Sequence, residues 1–403
     1  MEEMEERYDN WLKINKNGFG NPRNRYAWSM EIFKPENISN PRLYVGTTND
    51  FDAPPKPEIW SFDLEGKEDK KWKFEFRGRH RGFRKMKVFN NNLYVGTLKD
   101  PPFFRYLLFF LGKWGCHLYR YDGKNWINVI DAGFGTKCYS VRSMEIYNDQ
   151  LYVGTSNLIK GGQIWRTKEG IFAPSSQKDW EKCNIDGFGK GIQNTGIFSL
   201  KVFEDCLWAG TANGVSGCEI WKYDGDKWEN VISRGFISKC NIAVMNMEVF
   251  KDHLYVGTFN PHGGCQIWRY PANTYLGWEN VMVGGFYNPK NVYIWSMGTY
   301  KDNEIPYIYA GTFIGIDLER GAELWRSKTG NCNDWEKIVD NGFNDPCNYG
   351  IRNLAVYKKY LFAGTARPPK IITTSRKFEK EIKRVHKKCA SGCEVWMYPG
   401  DRR

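Results

Sequence analysis

A short string close to Leu-Tyr-Val-Gly-Thr recurs along the chain at intervals of roughly 50 residues. Self-similarity at this period is typical of solenoids, propellers and repeat arrays, so the repeat unit constrains the fold more than any other feature of the sequence. The Gly-Thr pair of the string occupies positions 46–47, 96–97, 154–155, 210–211, 257–258, 311–312 and 364–365.

Each repeat contains four short segments that read as strands. A stretch such as SMEIF precedes the LYVGT string, and a string such as EIWSF follows it. The fourth segment begins with Trp and ends in Gly-Phe, as in WENVISRGF. All four segments are brief, alternate in polarity and are rich in aromatic and β-branched residues, which favours β-strands. The third segment carries an aromatic residue at Trp60, Tyr119, Trp165, Trp221, Trp268, Trp325 and Trp396.

The fourth segment is displaced in one repeat. It starts internally at Trp72, Trp126, Trp180, Trp228, Trp278 and Trp335. The last repeat lacks it, but an isolated copy spans Trp11 to Phe19. We therefore predict an all-β fold in which residues 1–403 form a single domain. This domain is a seven-bladed β-propeller with four-stranded antiparallel blades, and the N-terminal strand completes the last blade and closes the ring.

The repeats resemble those of kelch and BNR (Asp-box) propellers. RTKEG before Trp180 and RSKTG before Trp335 are similar to degenerate Asp-boxes, although neither has the full Ser-x-Asp-x-Gly-x-Thr-Trp pattern. The resemblance implies the propeller architecture over nearly the whole chain. It implies little about activity, because propellers serve as enzymes, lectins and scaffolds alike.

The antiparallel order of strands A to D, counted from the axis outward, separates two faces. The B-to-C and D-to-A loops emerge on one side, which we call the loop face, and the A-to-B and C-to-D turns emerge on the other, the turn face. The A-to-B turns are uniformly short, whereas the B-to-C loops vary widely. Variable loops on a rigid scaffold usually carry binding, so we expect the loop face to be functional.

One B-to-C loop, the apolar insert at residues 98–115, is too short to span a bilayer. Its bulk favours docking in a partner protein, while insertion into a membrane interface and packing on its own ring remain alternatives. The expected contact residues are Phe103, Phe104, Leu107, Leu108, Phe109, Phe110 and Trp114.

A second long loop, the basic insert at residues 366–391, has the pattern of a cationic amphipathic helix. Its Lys380, Lys383 and Arg384, together with Arg79 and Arg81 after blade 1, are predicted electrostatic contacts. The net charge of +12 favours an acidic or phosphorylated protein surface or an anionic lipid. Nucleic acid is open on charge grounds alone.

The D-to-A loops converge on the central channel, so we sought chemistry there. Equivalent positions near the start of the A strands hold Trp28, Arg84, Arg142, Trp295 and Arg352. Arginine and tryptophan together suit an anionic or sugar-like ligand, although packing between blades explains them equally well. The arginines are similar to those of sialidases, but that family's Tyr–Glu pair and acid/base carboxylate are not identifiable.

The sequence predicts neither a catalytic residue nor a cofactor nor a metal site. Its five His residues are scattered, and it has no CxxC or HExxH motif. Recurrent cysteines such as Cys218, Cys265 and Cys393 are interpreted as small core residues with reduced thiols.

We therefore predict a non-enzymatic intracellular scaffold that binds a protein partner through its loop face. The alternatives are a carbohydrate-active or other small-anion-binding propeller with its site at the channel mouth, and peripheral membrane association through the apolar insert. The acidic N-terminus and the lack of a long apolar run favour the cytoplasm.

Overall fold

The protein is described by a computed structural model that covers residues 6–52, 54–66, 72–99, 114–315, 319–370, 384–385 and 387–400. Most of the apolar insert and most of the basic insert lie outside these ranges. The described residues form strands, joined by turns and a few helical turns of three or four residues.

The strands pair as seven groups of four, which we number as blades 1 to 7. The A strands are Asn24–Phe33, Gly82–Phe89, Ser140–Tyr147, Gly196–Phe203, Ala243–Phe250, Asn291–Asp302 and Gly350–Tyr357. The B strands are Arg42–Asn49, Asn92–Leu98, Gln150–Ser156, Cys206–Ala212, His253–Phe259, Ile305–Ile314 and Tyr360–Ala366. The C strands are Glu58–Asp63, Leu118–Tyr121, Ile164–Thr167, Ile220–Tyr223, Ile267–Tyr270, Leu324–Ser327 and Val395–Tyr398. The D strands are Trp72–Arg77, Trp126–Ile130, Trp180–Lys182, Trp228–Ile232, Glu279–Met282, Glu336–Val339 and, for blade 7, Trp11–Lys13.

A further strand, Arg7–Tyr8, pairs with Trp11–Lys13 at the outer edge of blade 7. Short helical turns lie at Asn17–Gly20, Gly133–Gly135, Gln177–Asp179, Asp186–Gly189, Gly191–Gln193, Gly284–Tyr287 and Asn341–Asn344. The described residues 384–385 and 387–388, at the end of the basic insert, are also helical.

Each blade is an antiparallel meander. In blade 3, Met144 of strand A lies opposite Val153 of strand B, which in turn lies opposite Trp165 of strand C. Trp165 pairs with Lys182 of strand D. The A strands of neighbouring blades contact one another around the axis. Hydrophobic clusters fill the seams between blades, as where Phe89 and Tyr94 of blade 2 pack with Val141 and Met144 of blade 3.

The ring closes through the displaced strand. Leu12 pairs with Met397 and Lys13 with Trp396, so residues from the beginning of the chain form the outer strand of blade 7. At the axis, Tyr26 of blade 1 pairs with Ala366 of blade 7. The predicted all-β propeller with N-terminal closure is confirmed.

A buried polar network explains why the repeat contains Gly-Thr and Glu-Ile-Trp. In blade 1 the Asn24 amide donates to the Glu58 carboxylate at 2.8 Å, and the Trp60 indole donates to the same oxygen at 3.0 Å. The Thr47 hydroxyl donates to Asn24 and accepts from the Glu58 backbone N–H. Because buried polar groups must be paired, the same kinds of bond recur in other blades, with Gln in place of Glu in blades 3 and 5. The acceptors that bond the third-segment Trp are Glu58, Gln163, Glu219, Gln266, Glu323 and Glu394.

Gly-Phe pairs lock neighbouring blades together. Gly187 and Phe188 both have positive φ, 56° and 53°, which turns the Phe ring out of its own loop and into the next blade. The Phe stacks there on the Trp of strand C. The stacks are Phe19–Trp60, Phe134–Trp165, Phe188–Trp221, Phe236–Trp268, Phe286–Trp325 and Phe343–Trp396.

The cysteines differ in one respect from the expectation of reduced thiols. Cys347 and Cys389 form a disulfide that joins the loop before blade 7 to the end of the basic insert. Cys218, Cys265 and Cys393 are free and fully buried, as core residues would be. Within the described ranges, no group of His, Cys, Asp and Glu side chains could hold a metal ion. No helix in the described part of the chain is long and apolar enough to cross a membrane.

Candidate functional site

Every A strand carries a bulge at the same position, and these bulges set the wall of the central channel. The strand register shifts there in all seven blades, for example between Val141 and Ser143. A bulge re-aims the side chain of its extra residue, and bulges are enriched beside functional sites. The bulged residues are Trp28, Arg84, Arg142, Phe198, Met245, Trp295 and Arg352. They are the equivalent positions from which the sequence predicted a channel ligand.

The three arginines of this set, Arg84, Arg142 and Arg352, line one cavity on the axis. Its volume is about 220 Å³, and the A strands of all seven blades contribute to its wall. Trp28 and Trp295 do not line it; they pack beside it in an aromatic cluster.

Aromatic rings support the guanidinium groups. The Arg142 guanidinium carbon lies 4.0 Å from the centroid of Phe198, and that of Arg84 lies 4.6 Å from Trp28. The Arg352 guanidinium lies 5.2 Å from Trp295. Packing of arginine on tryptophan, the alternative that the sequence left open, is therefore present at Arg84 and Arg352, while Arg142 packs on Phe198. Each contact has the geometry of a cation–π interaction.

The arginines have few hydrogen-bond partners. Arg142 donates to the Ser156 hydroxyl at 2.8 Å and to the Tyr139 hydroxyl at 3.0 Å, and Arg352 donates to the Trp295 carbonyl at 3.2 Å. The Nε atoms of Arg84 and Arg352 are buried and have no partner among the described residues. None of the three arginines forms an ion pair with a carboxylate in the described ranges.

This arrangement shifts the pKa of the groups involved. Burial, followed by the nearby charges of Arg142 and Arg352, lowers the pKa of Arg84 well below its usual value. Burial and the Arg142 charge lower the pKa of Arg352 to about 9. Burial by itself would raise the pKa of Tyr139, but the charge and hydrogen bond of Arg142, together with the Arg84 charge and a hydrogen bond to Ser156, outweigh it and hold the pKa below its ordinary value. The three arginines thus repel one another.

A mixed-charge layer lines the channel closer to the turn face. Lys87 pairs with Glu145 at 2.5 Å, and Lys201 pairs with Glu248 at 2.6 Å. Burial raises the pKa of Glu31 to about 7, against the lowering effect of Lys87 and Lys85. Burial, Lys87 and Arg352 lower the pKa of Lys85 to about 8.

Aromatic side chains lie between the arginines and the loop face. Each A strand begins at the loop face, so residues that precede the bulge are nearer to it. Tyr26 and Tyr349 share a hydrogen bond between their hydroxyls there, and Phe313 packs against Tyr349. The arginines therefore line the interior of the channel, beneath an aromatic layer, rather than the channel mouth.

Exposed apolar side chains mark the loop face over blades 3 to 5. Sequence analysis did not single them out, although its signal was available as apolar residues in Gly-rich loops such as GKGIQ and NGVSG. We call this set the apolar arc: Leu158, Ile159, Ile185, Ile192, Val215, Ile237, Val283 and Tyr287.

The predicted partner-binding residues fall in several places. Phe103, Phe104, Leu107, Leu108, Phe109, Phe110, Lys380 and Lys383 lie outside the described residues. Trp114 is half-buried, and Arg79 and Arg384 are exposed. Arg81 is only 4% exposed; its guanidinium lies 4.9 Å from the Phe51 ring and donates to the Asp50 carbonyl.

Similarity to known proteins is found among solved structures. No family model matches the chain, and no curated protein matches it. Among solved structures, the chain is similar to Sqt1 of Saccharomyces cerevisiae, with 10% identity, a TM-score of 0.45 and coverage of 85% of this chain and 80% of that chain. It is also similar to the WD40 repeats of RRP9, with 10% identity, a TM-score of 0.48 and coverage of 91% and 96%. Strand pairing identifies the chain as a repeat β-propeller, and neither comparison assigns it to the kelch or BNR type.

Proposed function

We propose that this propeller is a binding scaffold that holds a partner protein on its loop face. The observation that carries the proposal is the apolar arc. Eight of the thirteen large hydrophobic side chains exposed in the described residues belong to it. Exposed apolar surface that is concentrated on one side of a molecule usually marks an interaction site.

The loops that carry the arc are held in place by specific bonds. The backbone N–H of Gly162 donates to the Asn194 carbonyl at 2.7 Å, which fixes the B-to-C loop of blade 3 on the D-to-A loop that follows. The Asn194 amide in turn donates to Glu219 of blade 4 at 2.7 Å. A preorganised surface of this kind loses little conformational entropy when a partner binds.

Charge around the arc favours an acidic partner. Lys160, Arg234, Lys239 and Lys290 are exposed in the same loops. The acidic residues of these loops are Asp186, which pairs with Lys182 at 2.7 Å, and Glu219, which is buried and pairs with Lys190. The partner that fits is a protein segment with apolar side chains flanked by carboxylates.

The two inserts extend this proposal. Both connect a B strand to a C strand, in blades 2 and 7, and these strands end and begin at the loop face. We propose that the apolar insert supplies a further apolar contact and that the basic insert supplies further positive charge. No residue is assigned a catalytic role.

Blade 5 offers a matched pair of residues for the test. Tyr287 on the loop face is 88% exposed, and Tyr275 on the turn face is 90% exposed. Wild-type protein, Tyr287→Asp and Tyr275→Asp would each be used to capture partners from lysate of the source cell, and cross-links would then be mapped. We expect a stoichiometric partner that is lost with Tyr287→Asp, retained with Tyr275→Asp and cross-linked to the loops of blades 3 to 5.

Two results would contradict the proposal. One is equal capture by both variants, and the other is a set of cross-links confined to the turn face. Either would place the interaction surface elsewhere on the ring.

A further inference from the structure

We propose that Arg84, Arg142 and Arg352 form a binding site for a small tetrahedral oxyanion carrying two negative charges, inorganic phosphate or the phosphoryl group of a small monoester, inside the channel. The site is separate from the apolar arc, and the inference does not rest on the scaffold function.

The first argument is uncompensated charge. Arg84 is 9% exposed, and no carboxylate of the described residues pairs with it. Removing one partner from a buried ion pair is strongly destabilising, because a charge is left without its counter-charge. The partly buried Arg142 and Arg352 lie in the same wall, and no carboxylate of the described residues pairs with either of them. The three arginines together therefore resemble one half of an ion pair.

The second argument is the charge balance of the cavity. The acidic residues in its wall are Glu31, Glu145 and Glu248. Glu145 and Glu248 are already paired with Lys87 and Lys201. Lys85 and the three arginines then face Glu31 alone, and the excess of positive charge matches a ligand with two or more negative charges.

The third argument is donor geometry. A guanidinium presents five N–H donors in a planar fork that fits the oxygens of phosphate. Arg352 uses one of its donors on the Trp295 carbonyl, and its Nε is buried without a partner in the described residues, as is the Nε of Arg84. Aromatic rings fix the orientation of all three groups, so a ligand would meet a preorganised site.

The cavity also limits ligand size and direction of entry. A volume of about 220 Å³ holds a phosphate group with a short organic substituent but not a nucleotide. The Tyr26–Tyr349 layer stands between the arginines and the loop face, so the ligand enters from the turn face, past the Lys87–Glu145 and Lys201–Glu248 pairs. Partner binding and anion binding then occur at opposite ends of the molecule.

The test measures binding and stability together. Isothermal titration with inorganic phosphate, glycerol phosphate, sulfate and succinate is run at constant ionic strength, alongside the melting temperature in phosphate-free buffer. The variants are Arg142→Met and Arg352→Met, with the exposed Arg23→Met as control. We expect each channel variant to bind phosphate at least about tenfold more weakly, because a charge-assisted bidentate contact is lost.

The same variants should raise the melting temperature of the unliganded protein, because each removes a repelling charge, and Arg23→Met should change neither quantity. The affinities of inorganic phosphate and glycerol phosphate are then compared. Tighter binding of the first indicates a site for the free ion, and tighter binding of the second indicates a site for a phosphate monoester. Arg142→Lys keeps the positive charge but lacks the planar guanidinium, and we expect it to weaken phosphate binding about fivefold. This variant serves as the test if a Met variant fails to fold.

The proposal is overturned if phosphate binds no more tightly than succinate at equal ionic strength, or if Arg23→Met weakens binding as much as the channel variants do. Tyr287→Asp should keep full phosphate affinity, because the apolar arc and the anion site are independent. A loss of phosphate affinity in Tyr287→Asp would overturn the placement of the anion site in the channel.

Discussion

Phe188 lies flat on Trp221, with ring centroids 4.4 Å apart and planes within 5° of parallel. Phe188 belongs to the loop that leaves blade 3, and Trp221 belongs to strand C of blade 4. The stack therefore ties two blades together at a point where no strand pairing joins them.

Removing this ring should weaken the seam. We expect Phe188→Ala to lower the free energy of unfolding by about 3 kcal/mol, since it loses both a stacked pair and a filled volume. Urea unfolding followed by tryptophan fluorescence measures the change. Phe172→Ala is the control, because Phe172 is 54% exposed on the turn face and should cost less than about 0.5 kcal/mol. Equal losses in the two variants would refute the role of the stack.

The residue that accepts the indole hydrogen bond in the buried network is Gln in some blades and Glu in others. We expect the change from Glu to Gln to cost less stability than the change from Gln to Glu. Gln266 accepts from Asn241 and Trp268 as Glu219 accepts from Asn194 and Trp221, so Glu219→Gln keeps both bonds. It loses the ion pair with Lys190, whose side chain is 39% exposed and can turn to water, so the change should cost about 1 kcal/mol. Gln163 donates to Asp186 at 2.7 Å. Gln163→Glu would set two carboxylates against each other and should cost about 2 kcal/mol or more. Comparing the denaturation midpoints of the two variants tests the difference, and a larger cost for Glu219→Gln would contradict it.

Blade 2 replaces the network with a histidine pair, and acid should destabilise it. The His80 and His117 rings lie 4.0 Å apart, and His80 shares a 2.8 Å hydrogen bond with Tyr119. Burial, with the His117 charge second, lowers the pKa of His80 to about 3, and burial, then Lys99, lowers that of His117 to about 4.

The unfolded chain takes up protons at these histidines near their ordinary pKa of about 6.5, before the folded protein does. This contribution to stability is therefore present at pH 7 and is lost as the pH falls from about 6.5 toward 4. We expect a loss of about 1–2 kcal/mol for each histidine by pH 5. Subtracting the pH profile of His80→Gln from that of the wild type isolates the effect, with His253→Gln as control. Identical profiles would refute it.

Glu31 should act in the opposite direction. Its folded pKa of about 7 exceeds the ordinary value of 4.5, so the folded state holds the proton more tightly. The contribution of Glu31 to stability is therefore greatest at low pH and decreases as the pH rises from about 4.5 to 7, by at most about 3 kcal/mol. Glu31→Gln removes this slope. A series of unfolding curves between pH 4.5 and 8 tests it, and a variant that keeps the wild-type slope would refute it.

The apolar insert gives a prediction for the loop face as a whole. Replacing residues 101–115 with a short Gly-Ser turn should weaken capture of the partner protein at least about tenfold, since the apolar contact that we propose for the insert would be lost. Phosphate affinity should not change, because the channel arginines lie outside the insert. Quantitative mass spectrometry of captured proteins and lipids makes the comparison. Unchanged capture would remove the insert from the interface, and loss of lipid alone would favour membrane association instead.

Repetition made the architecture predictable. The Gly-Thr, Trp and Gly-Phe positions each have a fixed structural task, so their spacing alone identifies blades, and the isolated copy at Trp11 identifies the closing strand. The equivalent positions of Arg84, Arg142 and Arg352 were also predictable, because a bulge recurs at one point in every A strand.

Features that depend on closure or on solvent exposure were not predictable. Tyr26 and Tyr349 are 323 positions apart, and only the meeting of blades 1 and 7 brings their hydroxyls together. The same holds for the Cys347–Cys389 disulfide, whose partners belong to different loops. Ile185 and Ile237 resemble core residues in the sequence, and only the packing of the finished ring leaves them in water.

The stacks between blades have a consequence for how such a ring can change in size. Six of the joints between blades consist of the same pair of side chains, a Phe stacked on a Trp. These contacts do not distinguish one blade from another, so a duplicated or deleted blade would still meet a neighbour with the matching ring. The joint between blades 1 and 2 is the exception, because Phe76 meets Tyr119 edge-on beside the two histidines. The joint between blades 1 and 2 therefore differs from the other six. The gain or loss of a blade elsewhere in the ring would leave its aromatic and histidine contacts unchanged.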